Sequence, residues 1–554
     1  MKKVSVFFIT GFILLLGGCF QSDETADLIL HNANVLTVDN NFSVAEAVAI
    51  KGDRILAVGS NDDILSLAGT STRKVDMAGK TLMPGLIDNH AHIMRSSKQW
   101  RNTLRLDGVT SRATALQMIS DKAKELGEGE WVINDGGFSP TQFIDNDSPL
   151  TLQELDKAAP NNPVLLQHLF SMAFVNSKAF LEIGIDEDTD IAWLEIANDI
   201  DIDQDEKPTG VVRSAALRRM QAKFNDYGFE QHTKHALKLN QDLNALGLTS
   251  VIDATGGQLG TPEIDVYSKL DQEKNLTLRV FHLLPAPAYE PGETEQFKDF
   301  LKGVTFLNDS DYFQRIGVGE RLYTPIHDSI SQPAADSDEH KNAFKSLARQ
   351  TAEAGLHLHQ HTTHIKSINQ LLDAYDEIAK DIDISKLRWA FTHVDGIDKQ
   401  AIQRAKKHGM MLAAQSRRLI GGSKFKHFLS LIDFGNPPVK DLNDSGIKWG
   451  LGTDTMTVAQ MNPFNTLWWA ITGKALNGEQ LTDQMVDRKE ALIAHTRDNA
   501  WFMLRENDLG SIEKNKFADI LVLEEDYMKI DVDQIKNIKP LATIVGGKVV
   551  SGSL

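Results

Sequence analysis

LMPGLIDNHAHIM, residues 82–94, is the stretch from which the rest of the chain can be read. An apolar, strand-like run through Leu86 and Ile87 gives way to Asp88, His90 and His92. Residues i and i+2 of a strand point to the same side, so His90 and His92 share a face and their ring nitrogens can converge on one point. Two imidazoles buried side by side without a shared partner are costly, whereas neutral imidazole is the commonest metal ligand among side chains. The pair reads as part of a metal site at a strand end.

Downstream, apolar β-branched runs alternate with longer helical patterns, the mark of βαβ units around a parallel barrel. Strand candidates are TLMPGLIDNH, LTSVIDA, TLRVFHL, RIGVGERLY, LHLHQHTT, LRWAFTH, MMLAAQ and IKWGLGTD. Between the first two lies an insertion at about 95–245, which contains NPVLLQHLFSMAFVNS and the acidic run IDEDTDIAWLEIANDIDIDQDEKPTG. The acidic run lacks the spacing and glycine of a calcium loop and reads as a solvated lobe or lid. Both chain ends are rich in short β runs broken by Asn, Asp and Gly, with KGD and Gly546-Gly547 as hairpin turns. The expected fold is α/β: a (β/α)₈ barrel over 82–500, with a small β-sandwich assembled from 20–81 and 501–554. A chain of 554 residues has room for both.

Chemistry in such a barrel sits at the C-terminal ends of the strands. In strand order these ends carry His90 and His92, Glu320, His361, His393 and Asp454. Strand 5 offers a choice, because alternation puts His357, His359 and His361 on one face. His361, nearest the mouth, is the expected ligand and His359 the alternative. His364 in the following loop can reach substrate or cap a helix. Tyr323, His327, Asp328, Gln415, Arg417 and Arg418 lie beyond strand ends, where substrate contact and loop stabilisation are both open.

LMPGLIDNHAH, the strand-5 histidine, THVDG, GTD and the closing LGSIEKNKFADILVL…TIVGGKVV together resemble the amidohydrolase superfamily, and within it the YtcJ-like amidohydrolase 3 group. The resemblance spans essentially the whole mature chain. It implies a divalent metal centre, often binuclear, at the barrel mouth: His90 and His92 would hold one ion with Asp454, and His361 and His393 a second. Many relatives bridge the ions with a carboxylated lysine on strand 4. RIGVGERLYTPIHD has no lysine, and Glu320 is the only acid placed to bridge; the other reading is a structural Glu320 beside a single ion. Met172 stands where similar proteins often have histidine. The implied activity is hydrolysis of a non-peptide carbon-nitrogen bond in a small molecule by metal-activated water, with Asp454 as general acid and base. Zinc is the first expectation; iron, manganese and nickel suit the same ligands. Esterase, isomerase or decarboxylase chemistry on the same barrel, or a catalytically silent binding lipoprotein, are the competing readings.

Lys plus Arg number 58 against 76 Asp plus Glu, a net charge of -18 that repels phosphate backbones and argues against nucleic-acid partners. The chain opens MKKVSVFFITGFILLLGGCFQSDET. Its apolar run, Val4 to Leu16, is short of the ~20 residues that span a bilayer and fits a secretory signal. LGGC resembles the lipobox of bacterial lipoproteins, which implies lipidation at Cys19 and anchoring to a bacterial membrane, the outer membrane facing the periplasm; an ordinary signal peptide is the alternative. Cys19 is the only cysteine, so no intramolecular disulfide can form. Trp468-Trp469 suits either the core or a subunit contact, which leaves room for a homo-oligomer.

Overall fold

The barrel strands are β1 (Leu86–Ala91), β2 (Leu248–Asp253), β3 (Arg279–Leu284), β4 (Phe313–Glu320), β5 (His357–Thr362), β6 (Ala390–His393), β7 (Met411–Gln415) and β8 (Lys448–Gly452). The computed structural model describes residues 25–254, 261–286, 290–308, 310–329, 332–422 and 435–554. Consecutive strands pair in parallel from β1 to β8 in one sheet of eight. Every strand residue is buried except Arg315 and Lys448. This follows from helices covering one face and side chains filling the other.

Side chains and mouth-level backbone bonds close the seam between β8 and β1. Asn499 Nδ2 donates to the carbonyls of Ile87 (2.6 Å) and Leu451 (2.7 Å). Thr453 donates to Asp88 through its backbone N–H (3.0 Å) and its hydroxyl (2.6 Å). Asp454 N–H donates to His90 O (2.9 Å), and His92 N–H to Thr455 O (2.7 Å). The glycines of WGLGTD make this approach possible: a Cβ at Gly450 would lie 2.0 Å from Asn499 Oδ1, and one at Gly452 2.3 Å from Asn89 Oδ1.

Thr81–Pro84, expected to open the first barrel strand, forms a separate strand of the outer domain. It pairs antiparallel with Ile520–Leu523 and parallel with Asn34–Leu36. The break falls at Gly85, where a Cβ would lie 2.1 Å from Thr249 Oγ1. The outer domain has a six-stranded sheet drawn from both chain ends and a four-stranded sheet from residues 26–76. Leu30, Val48, Ile50, Leu82, Ile520, Val522 and Ile544 pack in its core.

The insertion is a lobe around a five-stranded sheet, with strands from Val132–Asn134 to Pro208–Arg213. Apolar clusters form around it, one including Leu106, Phe138, Met172 and Phe174 and another Ile185, Ile191, Ile196 and Ile200. The second holds the acidic run to the lobe by its isoleucines while Glu187, Asp188 and Asp205 stay exposed. Helix Gly228–Ala245, expected to close the insertion, instead packs on β2 and on helix Pro262–Gln272 as part of the barrel wall. Arg105 ties the lobe to the loop after β8, donating to the carbonyls of Met456 (2.9 Å) and Ala459 (3.1 Å). Trp468 and Trp469 are both 1% exposed, on helix Pro463–Thr472 in the core. Cys19 and the signal segment lie outside the described residues, among which no helix is long and apolar enough to cross a membrane.

Candidate metal centre

All six expected ligands meet at the barrel mouth, each 8% exposed or less. His90 and His92 project from the end of β1, their Nε2 atoms 3.5 and 3.3 Å from Asp454 Oδ1. The same two nitrogens lie 3.8 and 3.7 Å from Glu320 Oε2. The other Glu320 oxygen, Oε1, contacts His361 Nδ1 and lies 3.4 Å from His393 Nε2. His361 Nδ1 and His393 Nε2 are 2.9 Å apart, and Asp454 Oδ2 is 3.6 Å from His393 Nδ1. Glu320 therefore turns one oxygen to each histidine pair, the arrangement a bridging carboxylate requires.

The backbone bends to achieve this. His393 and Asp454 have φ of 73° and 64°, left-handed values tolerated best by short polar side chains and typical of functional sites. Gly319 has φ 147°, and a Cβ there would lie 2.1 Å from His359 O, so only glycine lets the end of β4 sit this close to β5.

A further layer of side chains orients these six, as second-layer groups do in metal sites generally. His90 Nδ1 lies 3.1 Å from His359 Nε2 and 3.0 Å from Thr392 Oγ1. His359, the alternative ligand by sequence, is thus one level deeper and supports His90. His361 Nε2 is 3.2 Å from Asp328 Oδ1, and Asp328 accepts from the backbone N–H groups of Thr363 and His364. Gln415 Oε1 accepts from His393 N–H (2.7 Å) and faces His393 Nδ1 at 3.0 Å. His327, left open by sequence, lies with its ring 4.0 Å from that of His361 and has a nitrogen within ligand range of Glu320 and His361. His364 directs its ring to Ser329 O (2.8 Å), Tyr323 its hydroxyl to His340 (2.8 Å), and Arg418 its guanidinium to Gly435 O (3.0 Å). Arg417 is ion-paired with buried Asp395 and lies 3.9 Å from Asp454 Oδ2.

Burial pushes His90 and His92 down to about 4, so both are neutral at pH 7 and have a lone pair to donate. Burial opposes the Glu320 charge, but hydrogen bonds from His361 and His393 outweigh it and hold the carboxyl well below its usual range. Burial also disfavours a charged His361, yet Asp328 and Glu320 outweigh it and raise the imidazole to about 9. A proton on His361 thus stands where a cation would be favoured. Burial raises Asp454 to about 6. His90 Nε2, facing both carboxylates, is buried without a hydrogen bond. Hard carboxylate oxygens and neutral imidazoles around such an atom fit a divalent cation.

Residues 73–551 match the amidohydrolase family model. The chain belongs to the amidohydrolase family. It is 27% identical to an N-substituted formamide deformylase of Arthrobacter pascens, over 95% of this chain and 98% of that one. It is 23% identical to the putative amidohydrolase YtcJ of Bacillus subtilis, over 94% and 99%. An uncharacterized metal-dependent hydrolase from Pyrococcus horikoshii shares the fold with a TM-score of 0.62 at 18% identity, covering 91% of this chain and 99% of that structure. This amidohydrolase is a metal-dependent hydrolase, and its substrate is a small molecule.

Proposed function

We propose that this amidohydrolase carries two zinc ions and hydrolyses a linear amide, releasing a small acyl group from nitrogen. The observation that carries the two-ion reading is Glu320, with one oxygen toward His90 and His92 and the other toward His361 and His393. His90, His92 and Asp454 would hold one ion and His361 and His393 the other, with Glu320 between. The ions, when bound, acidify water and polarise the substrate carbonyl. Asp454, raised by burial toward neutrality, accepts the proton of the attacking water and delivers it to the leaving nitrogen as the C–O bond forms and the C–N bond breaks. The products are a carboxylic acid and an amine. His359, Thr392, Asp328 and Gln415 keep the imidazoles in place, so little reorganisation is needed during reaction. The choice of a linear amide is supported by the likeness to the formamide deformylase along nearly the full length of both chains.

Export and anchoring through a lipid on Cys19 belong to the same proposal, and rest on the order of charge, apolar run and LGGC. Elemental analysis of protein lacking the first 19 residues tests the centre. We expect about two equivalents of metal per chain, falling toward one in Glu320→Ala; unchanged content in the variant would remove the bridge. Incubation with N-formyl amines, with products weighed by mass spectrometry, tests the bond. Formate and free amine are expected, and a product of unchanged mass would point to isomerisation.

A further inference from the structure

We propose that Arg95 and Phe170 form a specificity wall at the mouth, in which Arg95 pairs with a carboxylate and Phe170 stacks on an aromatic ring of the substrate's amine portion. The inference rests on the linear-amide reading and extends it to a substrate class, N-acyl derivatives of aromatic amino acids.

Two separate pieces of chain build the wall. The first is the turn that leaves β1: Arg95 lies three residues beyond the ligand His92, on the short helix Ile93–Ser96. Its guanidinium is exposed and makes no hydrogen bond or ion pair among the described residues. The second is the lobe hairpin Val164–His168 to Met172–Val175, in which His168 pairs with Met172 and the tip is Leu169–Ser171. Leu169 turns back with φ 52° and is buried in the barrel's own apolar cluster, which also holds Ile93, Met94 and Trp100. Gln167 Nε2 braces the tip by donating to Leu169 O (2.7 Å), and Gln221 Nε2 donates to Gln167 Oε1 (2.9 Å).

With Leu169 pinned down, the next residue is held out in solvent. Phe170 is 62% exposed, and the Arg95 guanidinium carbon lies 5.7 Å from its ring centroid. A braced turn that spends its rigidity on exposing a phenyl ring beside an unpaired guanidinium leaves apolar surface and charge uncovered. A ligand with a flat ring and an anion covers both, because Arg binds carboxylates in a bidentate fork and rings pack in offset or edge-on geometry. Arg417 is already engaged by Asp395 and does not compete for this anion.

Three probes separate the parts: N-formylphenylalanine, N-formyl-2-phenylethylamine without the carboxylate, and N-formylalanine without the ring. Kinetics and calorimetric binding are measured on the metal-loaded enzyme and on Arg95→Gln, Arg95→Lys and Phe170→Ala. Arg95→Gln is expected to raise KM for N-formylphenylalanine about tenfold relative to N-formyl-2-phenylethylamine, with partial recovery in Arg95→Lys. Phe170→Ala should raise KM for both ring compounds several-fold relative to N-formylalanine. The losses should fall on KM rather than kcat, since neither side chain touches the reacting atoms. Equal effects on all three probes, or none, overturn the wall while leaving amide hydrolysis standing. If no probe is hydrolysed, the bond assignment fails and calorimetry decides the wall alone. Weaker binding of the carboxylate compounds confined to the Arg95 variants upholds it; equal binding by all proteins, or binding of no probe, overturns it.

Discussion

Asp454 leaves β8 in a left-handed turn that places one carboxylate oxygen near His90 and His92 and the other near His393. Asparagine keeps the size and one oxygen ligand but cannot carry the proton. Asp454→Asn is therefore expected to lower kcat by about 10²- to 10⁴-fold while metal content by elemental analysis stays near wild type; unchanged turnover would remove Asp454 from the proton path. Gly319 is the second sensitive residue, because its missing Cβ lets Glu320 reach between the histidines. Gly319→Ala should drive a methyl into His359 O, lowering stability by about 2 kcal/mol or more. Chemical denaturation and metal analysis together test this: stability and metal content are expected to fall together. At this scale the alternation of His90 with His92 was legible, since the two are covalent near-neighbours on one strand. The supports were not. Asp328 reaches His361 from 33 positions earlier in the chain and Gln415 reaches His393 from 22 later, separations that no local periodicity encodes.

Among the elements, the lobe shows how local signals and long-range pairing combine. Thr151 and Glu154 form a capping box at the start of helix Leu152–Ala158. Glu154 also takes a two-pronged ion pair from Arg112 on the preceding helix, at 2.8 and 2.5 Å. That pair, with the cap bonds, lowers the Glu154 carboxyl from 4.5 to about 2. A carboxyl depressed in the folded state contributes stability that is fully present above its unfolded value and is lost as pH falls through the folded one. Lobe stability should accordingly decline between about pH 4.5 and 2, and Glu154→Gln should be less stable above that window and lose this share of the decline. Thermal melts across that range, compared between wild type and variant, would show it. Elsewhere at this scale the eight barrel strands were readable from alternating β and helical patterns. The split at Gly85 was not, because Thr81–Pro84 and β1 form one unbroken apolar run whose division depends on Thr249 passing over the glycine.

For the molecule as a whole, the barrel gathers four histidines and two carboxylates from five strand ends at its mouth, and a cation compensates what burial costs them. Removing metal by chelation should lower the melting temperature, and adding zinc back should raise it with concentration, because a ligand that binds only the folded chain stabilises it by mass action. A melting temperature indifferent to chelation would argue against a tightly held centre. The seam between β8 and β1 lies beside these residues: Asp454 N–H bonds His90 O across it, and Asn499 joins both strands.

What the sequence determined by itself was the parallel barrel, the outer β-domain drawn from both ends, and which side chains the strand ends bring to the mouth. Each of these follows from period, order along the chain and residue chemistry, all local properties. The tertiary structure alone decided that Glu320 turns a different oxygen to each histidine pair, that His359 lies one level deeper beside His90, that helix Gly228–Ala245 packs on β2 as part of the barrel wall, and that Phe170 stands beside Arg95. The physical reason is common to all four: each depends on a distance of a few ångströms between segments far apart in the chain, which only closure of the barrel and docking of the lobe bring about.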